Sequence, residues 1–351
     1  MIIETLKLTN FRSHALSNFE FSPNLNILTG KNASGKTNVM EAIYYLSLAR
    51  SFKGVEDSEL IKKGSEWGEI RASIKEGEIS KDVKVRLSKN ARHIFINGKP
   101  VSRLSELAKS VNITLFEPKD VMLFRGSPKE RRSFLDISLS KKSNVYLEHI
   151  SRYEKVLRER NEILKSDHPD LLLLETTTEM LAKLSAPIVN YRQIYVKDIN
   201  DILNKITRAL TGAQGKIEII YKPFVDNDDK FLEHAKQAYK RAEEADLKHK
   251  ATSVGPHRED FSVNLNGRDI ATYGSQGENR MVALALKLSP YFLVEEKAKR
   301  PIVVLDDVMS ELDSSHQERL ITFLKKFDQV FITATKLNVD GARHYEIKRN
   351  A

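Results

Sequence analysis

Eight consecutive residues, Gly30-Lys31-Asn32-Ala33-Ser34-Gly35-Lys36-Thr37, restrict this chain more than any other stretch. They read G-x-x-x-x-G-K-T, a phosphate-binding loop. An apolar run, Leu25-Asn26-Ile27-Leu28-Thr29, precedes them, and the helical stretch Asn38–Leu46 follows. Strand, glycine-rich loop and helix in that order predict an anion site at a helix N-terminus. There, backbone N–H groups and the helix dipole face the phosphates. Gly30 and Gly35 permit backbone shapes and close approaches that a side chain blocks. Lys36 is expected to reach the outer phosphates as a catalytic cation, and the Thr37 hydroxyl to hold Mg²⁺. The loop and Asn38 after it are the expected nucleotide contacts.

A second element completes that chemistry. Ile302-Val303-Val304-Leu305-Asp306-Asp307 is an apolar strand ending in two carboxylates. Asp306 is expected to hold the metal with Thr37, and Asp307 to orient or deprotonate an attacking water. Ahead of it, Tyr273-Gly274-Ser275-Gln276-Gly277-Glu278 is a small-residue turn opening a helix, a second anion site by the same physics. Ser310-Glu311-Leu312-Asp313 follows the acid pair.

The rest of the chain sorts into three textures. The first thirty residues read as short strands. Alternation at 69–74 and 82–87, the Asn97-Gly98 turn after His93–Ile96, and renewed alternation at 111–116 predict a mostly antiparallel sheet over about 66–116, broken by a short helix near 101–109. Residues 128–250 read as helices. Tyr146, Ile150, Tyr153, Leu157 and Leu164 share one face, and Leu181, Ile188, Tyr195, Ile202 and Ala209 recur every seven residues. Pro187 is expected to kink or restart the second of these. After 250, a hairpin at Asn266-Gly267, a helix from Gly277 to about Glu296, and buried strands separated by helices indicate a parallel sheet covered on both faces.

Composition narrows the partners. Fifty-seven Lys and Arg against 48 Asp and Glu leave a formal charge of +9. That surplus fits a polyanionic partner such as nucleic acid, or simply a basic soluble surface. There are no cysteines, which excludes disulfides and thiolate metal sites and fits a cytoplasmic protein. No apolar run is long enough to span a bilayer.

The order P-loop, Ser275–Glu278, Asp306-Asp307, Asp313 resembles ATPase heads of the ABC superfamily. In those, a Ser-x-Gly-Glu/Gln signature and a Glu-Leu-Asp loop from one subunit close on ATP held by the P-loop of another. Further blocks resemble the RecF family, bacterial repair ATPases related to SMC and Rad50 heads: Asn10-Phe11-Arg12-Ser13, Ala49-Arg50-Ser51-Phe52, Glu117-Pro118-Lys119-Asp120, Gly126–Asp136 and Gly255–Asp260. The resemblance implies an α/β ABC-ATPase-type head, a P-loop parallel sheet plus an antiparallel β lobe, with a helical second lobe or arm. On this reading the head spans 1–125 and 251–351, the arm spans 126–250, and the loop at 273–280 is presented to a partner subunit.

Several functional expectations come with the family. They are ATP and Mg²⁺ as cofactors, an ATP-dependent homodimer, weak DNA-stimulated hydrolysis, and binding to duplex or single-strand/duplex junctions without sequence specificity. RecA loading at gaps, with RecR and RecO as partners, is also implied. The family nominates Arg12 as a nucleotide contact, and Ser275, Gln276, Gly277, Glu278 and Asp313 as contacts made in trans. The metal acid is usually followed by Glu, and the last strand by a switch His. Asp307 and Ile332–Lys336 depart from both, so slow hydrolysis is expected. Glu117 stands where the family carries a γ-phosphate-sensing Gln, or is a turn acid before Pro118. Arg131-Arg132 open a helix and need a phosphate or a carboxylate such as Asp136. For His257 no metal cluster is at hand, so it and Arg258 are expected to pair with nearby acids. Lys62, Lys63, Arg71, Arg92, Lys99 and Arg103 are the expected DNA-phosphate contacts, on basic lobes facing the cleft. An SMC-type structural head and a transporter ATPase are the alternative readings.

Overall fold

In chain order the first stretch of this computed structural model comprises β1 (Ile2–Phe11), β2 (His14–Glu20), β3 (Asn24–Thr29), α1 (Lys36–Leu48), β4 (Trp67–Glu76), β5 (Ile79–Ser88), β6 (Arg92–Ile96), β7 (Lys99–Pro100), α2 (Leu104–Ser110) and β8 (Ile113–Phe116). The middle holds α3 (Pro128–Lys142), α4 (Asn144–Lys165), α5 (Leu171–Thr211), β9 (Ile217–Lys222), α6 (Phe231–His249), β10 (Asp260–Leu265), β11 (Arg268–Asp269), α7 (Ile270–Tyr273) and α8 (Gln276–Phe292). β12 (Ile302–Leu305), α9 (Ser314–Leu324), β13 (Gln329–Ala334) and β14 (Arg343–Glu346) finish it. The structure describes residues 1–348, so the last three residues of the expected head, 349–351, lie outside the described residues.

The chain divides into two compact units. The first contains Met1–Val121, Lys205–Ala213 and the stretch from Arg280 onward; the second contains Met122–Asn204 and Gln214–Asn279. Three of the divisions fall within helical elements, the short helix Pro118–Leu123, α5 and α8. Residues 251–279, expected with the head, belong to the second unit because β10 pairs antiparallel along the whole of β9, Asp260 opposite Lys222 through Leu265 opposite Ile217.

In the first unit, a five-stranded sheet has the order β14-β3-β13-β12-β8, and every pairing in it is parallel. β12 and β13 are buried along their whole length, as continuous apolar runs covered on both faces should be. A six-stranded antiparallel sheet, β2-β1-β4-β5-β6-β7, forms the second layer. α1 is buried nearly all round. Its Val39, Ile43 and Leu46 share one apolar cluster with Leu6, Ile70 and Val85 of the antiparallel sheet and Leu28, Val304 and Phe331 of the parallel one. Each such side chain contributes about 1.5–3 kcal/mol on leaving water, so the P-loop helix is fixed between two sheets.

Two sequence expectations change here. The 111–116 segment does not join the antiparallel sheet: β8 lies parallel to β12, Ile113 opposite Ile302 through Phe116 opposite Leu305. Its alternation is that of an edge strand, where one side of a covered sheet still meets solvent. The second helix does not restart at Pro187, because α5 runs through it for 41 residues.

The second unit packs α3, α4, α6 and most of α5 with the β11-β10-β9 sheet. Its interior is charged. Arg160 is wholly buried, donating to Asp246 (2.8 Å), Thr252 (2.8 Å) and Thr178 (2.9 Å). Arg192 is buried between Asp136 (2.8 Å) and Glu259 (2.7 Å).

Candidate functional site

The parallel sheet sets the geometry of the first unit's site. Parallel strands aim their C-terminal ends the same way, and ligands of such sheets bind beyond those ends. Here the ends belong, in spatial order, to β3 with the P-loop, β13 with Thr333, β12 with Asp306-Asp307, and β8 with Glu117. Segments from opposite ends of the sequence thus meet along one edge.

The P-loop has the backbone its glycines forecast. Gly30 and Gly35 have φ of 151° and 106°, and Ala33 takes a left-handed 62°. A Cβ on Gly30 would stand 2.4 Å from the Ile347 carbonyl, and one on Gly35 2.8 Å from Ser13 Oγ, so neither position tolerates a side chain. Lys31, Asn32 and Ala33 are exposed at the rim, and Ser34 is buried with an Oγ that has no partner. Lys36 Nζ donates to the carbonyls of Gly30 (2.7 Å) and Lys31 (3.0 Å), folding its cation over the loop. Asn38 donates to Ser13 Oγ (2.9 Å).

Thr37 Oγ1 donates to Asp306 Oδ1 at 3.2 Å, joining the P-loop helix to the end of β12. Thr333 Oγ1 donates to the same carboxylate oxygen at 2.8 Å and accepts the N–H of Asp307, also at 2.8 Å. Thr333 lies in the segment Ile332–Lys336, where the family resemblance expects a switch His; its place at the end of a buried strand beside the acid pair is the sequence signal for this role. Burial raises the Asp306 carboxyl above its ordinary range, against the Thr333 and Thr37 hydroxyls, which lower it. Asp307 is exposed in a left-handed conformation, φ 51°, and its carboxylate has no partner among the described residues.

This donor set fits Mg²⁺ arriving with a triphosphate. A hydroxyl and a carboxylate, both hard oxygens, converge at the loop, and a buried Ser34 hydroxyl lacks a partner. Among the described residues no cluster of three or more His, Asp or Glu could hold a metal by itself, so phosphate oxygens and water would complete the coordination of a bound Mg²⁺.

Other sequence-nominated residues have definite places. The Arg12 guanidinium is closed on Glu41 of α1, Nη2 at 2.7 Å and Nε at 2.8 Å, with Nη1 on the Glu59 carbonyl at 3.0 Å. Glu41 is fully buried and also accepts from the Ser51 hydroxyl. Glu117 pairs with Lys119 at 2.7 Å, and its N–H donates to Asp120, so it does form the acid turn before the short helix at Pro118. Burial raises its carboxyl, with Lys119 opposing. Arg131 binds Asp260 (2.6 Å), not Asp136, and Arg132 donates to the Glu259 carbonyl (2.6 Å). His257 bonds Tyr153 Oη (2.7 Å) and the Thr252 carbonyl (3.0 Å), and Arg258 bonds that carbonyl too, so neither pairs with an acid as expected. Asp313 caps α9, accepting from His316 N–H (2.9 Å) and Nδ1 (2.6 Å), and these bonds lower its carboxyl.

In the second unit, Ser275 caps α8. Its N–H and Oγ both donate to Glu278 Oε2 at 2.8 Å, and Glu278 N–H donates back to Ser275 Oγ at 3.2 Å. This reciprocal capping box leaves Ser275, Gln276, Gly277 and Glu278 exposed and holds the Glu278 carboxyl low, chiefly through the Ser275 N–H.

The basic candidates divide. Lys62 and Lys63, with Lys89, line an open hollow of about 450 Å³. Lys99 and Arg103 are exposed, and Arg71 is exposed but paired with Asp82 at 2.8 Å. Arg92 does not fit a phosphate role. It donates to the Ala49 carbonyl ending α1 (2.5 Å), to Tyr45 Oη (3.0 Å) and to Asp57 (3.0 Å), which makes it a cation at a helix C-terminus.

Comparison with known proteins bears on this geometry. Residues 2–344 match the family described as the RecF/RecN/SMC N-terminal domain. The DNA replication and repair protein RecF of Lachnoclostridium phytofermentans is 36% identical over 342 residues, covering 96% of this chain and 93% of that protein. The RecF of Alkaliphilus oremlandii is 38% identical over 344 residues, covering 96% and 94%. Among solved structures, the recombination mediator protein RecF–ATP of the RecFOR pathway superposes with a TM-score of 0.90 at 32% identity, over 100% of this chain and 98% of that one. An Smc head bound to the C-terminal winged-helix domain of ScpA shares the fold at a TM-score of 0.59 and 16% identity, over 96% and 90%.

Proposed function

The chain belongs to the RecF family, and from that membership we propose that it is an ATP-dependent DNA-binding protein of recombination and repair. One contact carries the reading: Thr37 on Asp306, which brings a P-loop hydroxyl and a strand-end carboxylate to one point. Lys36, released from the loop carbonyls, neutralises the outer phosphates, while the N–H groups at the start of α1 hold them. Mg²⁺, when bound with ATP, supplies charge neutralisation at the phosphates, and Thr37 and Asp306 are its ligands from this chain. Asp307 takes the proton of the attacking water as the new oxygen–phosphorus bond forms and the bond to ADP breaks. Its carboxylate is one methylene shorter than a Glu, so hydrolysis is slow, and DNA stimulates it.

In this reading ATP binding drives a head-to-tail homodimer. Ser275–Glu278 and Asp313 of one copy close on the nucleotide held by the other. Arg12 supports the P-loop helix through Glu41 and reaches the nucleotide only by leaving it. The closed dimer clamps duplex or gapped DNA without sequence preference, using Lys62, Lys63, Arg71, Lys99 and Arg103. It supports RecA loading with RecR and RecO. Such backbone contacts weaken steeply with salt.

Mass by light scattering, with and without ATP and a gapped duplex, tests this on three proteins. The unmodified chain should dimerise only with ATP. Ser275→Arg should bind ATP yet stay monomeric, and Asp307→Asn should hold the dimer longer. ATP-independent dimers, or no response to DNA, would refute the clamp.

A further inference from the structure

The loop before α8 is held by the backbone bonds of Gly274 N–H to the Ile270 carbonyl and of Asn279 N–H to the Ser275 carbonyl, both 3.0 Å, and from within by the Asn279 side chain. Asn279 is 2% exposed. Its Nδ2 donates to three carbonyls: Ile270 (3.1 Å), Gly274 (3.0 Å) and Ser275 (2.9 Å). Its Oδ1 is buried with no partner. Two N–H groups therefore serve three acceptors, while the other half of the carboxamide is left without a donor. A buried unsatisfied acceptor is costly, so packing alone does not account for an amide here; an apolar side chain of similar size would fill the space without that penalty.

Gly274 supplies an independent observation. Its backbone is ordinary, with φ −73°, so handedness does not demand glycine. Space does: a Cβ there would lie 2.6 Å from the Ile270 carbonyl oxygen and 2.8 Å from Asn279 Nδ2. The missing side chain is what lets the carboxamide reach the loop.

The consequence follows from the planar trans peptide, in which the C=O of one residue and the N–H of the next point in opposite directions. Pinning the Gly274 carbonyl inward turns the Ser275 N–H outward, and pinning the Ser275 carbonyl does the same for Gln276. Arg125 also donates to the Gly274 carbonyl, at 3.1 Å. The outward Ser275 N–H already carries an anion, the Glu278 carboxylate at 2.8 Å.

We propose that Asn279 is the positioning residue of the trans-acting loop: it fixes two successive peptide planes so that their N–H groups face an incoming phosphate of the partner's nucleotide. This rests on the head-to-tail reading above. Asn279 touches no nucleotide itself.

The test is subunit complementation in the full-length protein, read as ATP-dependent mass and as ATP affinity of the monomer. Asn279→Asp keeps the shape but replaces the donor with an acceptor facing three carbonyls. It should bind ATP within about twofold of the unmodified protein while its ATP-dependent association falls at least about tenfold. Mixed with Lys36→Ala, which keeps an intact loop but a failed P-loop, it should recover an ATP-dependent heterodimer with one complete site. Asn279→Ala, which removes the donors without adding repulsion, should show the same pattern more mildly. Association of Asn279→Asp at the unmodified level overturns the proposal. So does loss of ATP binding or of folding in both variants, because the residue would then be a general structural one. The pair Ser275→Arg with Lys36→Ala separates the two levels. If that pair fails to complement, the head-to-tail reading falls and takes this inference with it. If it complements and the Asn279→Asp pair does not, only the role of Asn279 is refuted.

Discussion

The two units place their polar groups differently. In the first, the interior is built from apolar strands and α1, and the candidate site residues stand along one sheet edge. Its wholly buried carboxylate, Glu41, lies just behind the P-loop and is held by Arg12. In the second, charge runs through the interior: Arg160 with Asp246, and Arg192 between Asp136 and Glu259. The difference separates two ways of fixing a structure. Apolar packing tolerates a polar edge, because the edge contributes little to holding the sheet together. A buried ionic network has less tolerance, since losing one charge leaves its buried partner uncompensated.

The sharpest way to break this contrast is Arg192→Met. It removes the cation that bridges Asp136 and Glu259, and stability should fall by about 3–5 kcal/mol in urea unfolding. A loss below about 1 kcal/mol would mean that the network is not what holds the second unit.

Acid comes next. Burial pushes the His257 imidazole down to about 4, with the Thr252 carbonyl opposing. The depressed group is neutral when folded and protonates more readily when unfolded. Its stabilising contribution is therefore complete above about pH 6.5 and is lost as the pH falls towards 4, by about 3 kcal/mol. A pH series of unfolding midpoints should show that slope, and His257→Gln should flatten it.

The smallest effect belongs to the first unit. Thr333→Val deprives the Asp306 carboxylate and the Asp307 N–H of one shared hydroxyl, at a cost of about 1–3 kcal/mol. Unfolding measures that loss, and ATP turnover should drop by a larger factor than ATP affinity. Equal losses in both would show that Thr333 supports the fold rather than the acid pair.

How much of this was legible in the sequence follows from how local each signal is. The P-loop, the acid-ended strand β12 and the small-residue turn that opens α8 are written in a few adjacent residues, and each forms where its pattern placed it. β14 was invisible: Arg343-His344-Tyr345-Glu346 has no apolar run, and it becomes a strand only because β3 offers it an edge. β8 was seen as a strand but assigned to the wrong sheet, since alternation reports exposure and not the neighbour. Arg160 and Arg192 sit on helices where an arginine ordinarily reads as a wet-face residue, and the carboxylates that bury them come from distant elements. Arg12 was found by its neighbours Asn10 and Phe11, yet its partner Glu41 lies one α1 turn beyond anything a linear motif reports.

The strand that feeds the P-loop has a further consequence, in the order in which the protein is made. β3 emerges among the first thirty residues, but its partners on either side are β13 and β14, both beyond residue 328. A nascent chain carries β3 through most of its synthesis without either of its strand partners. The Thr37–Asp306 contact is absent until β12 has been translated, and the loop's strand remains an open edge until β13 and β14 arrive. The sheet that carries the P-loop is thus completed only when β13 and β14 have been translated.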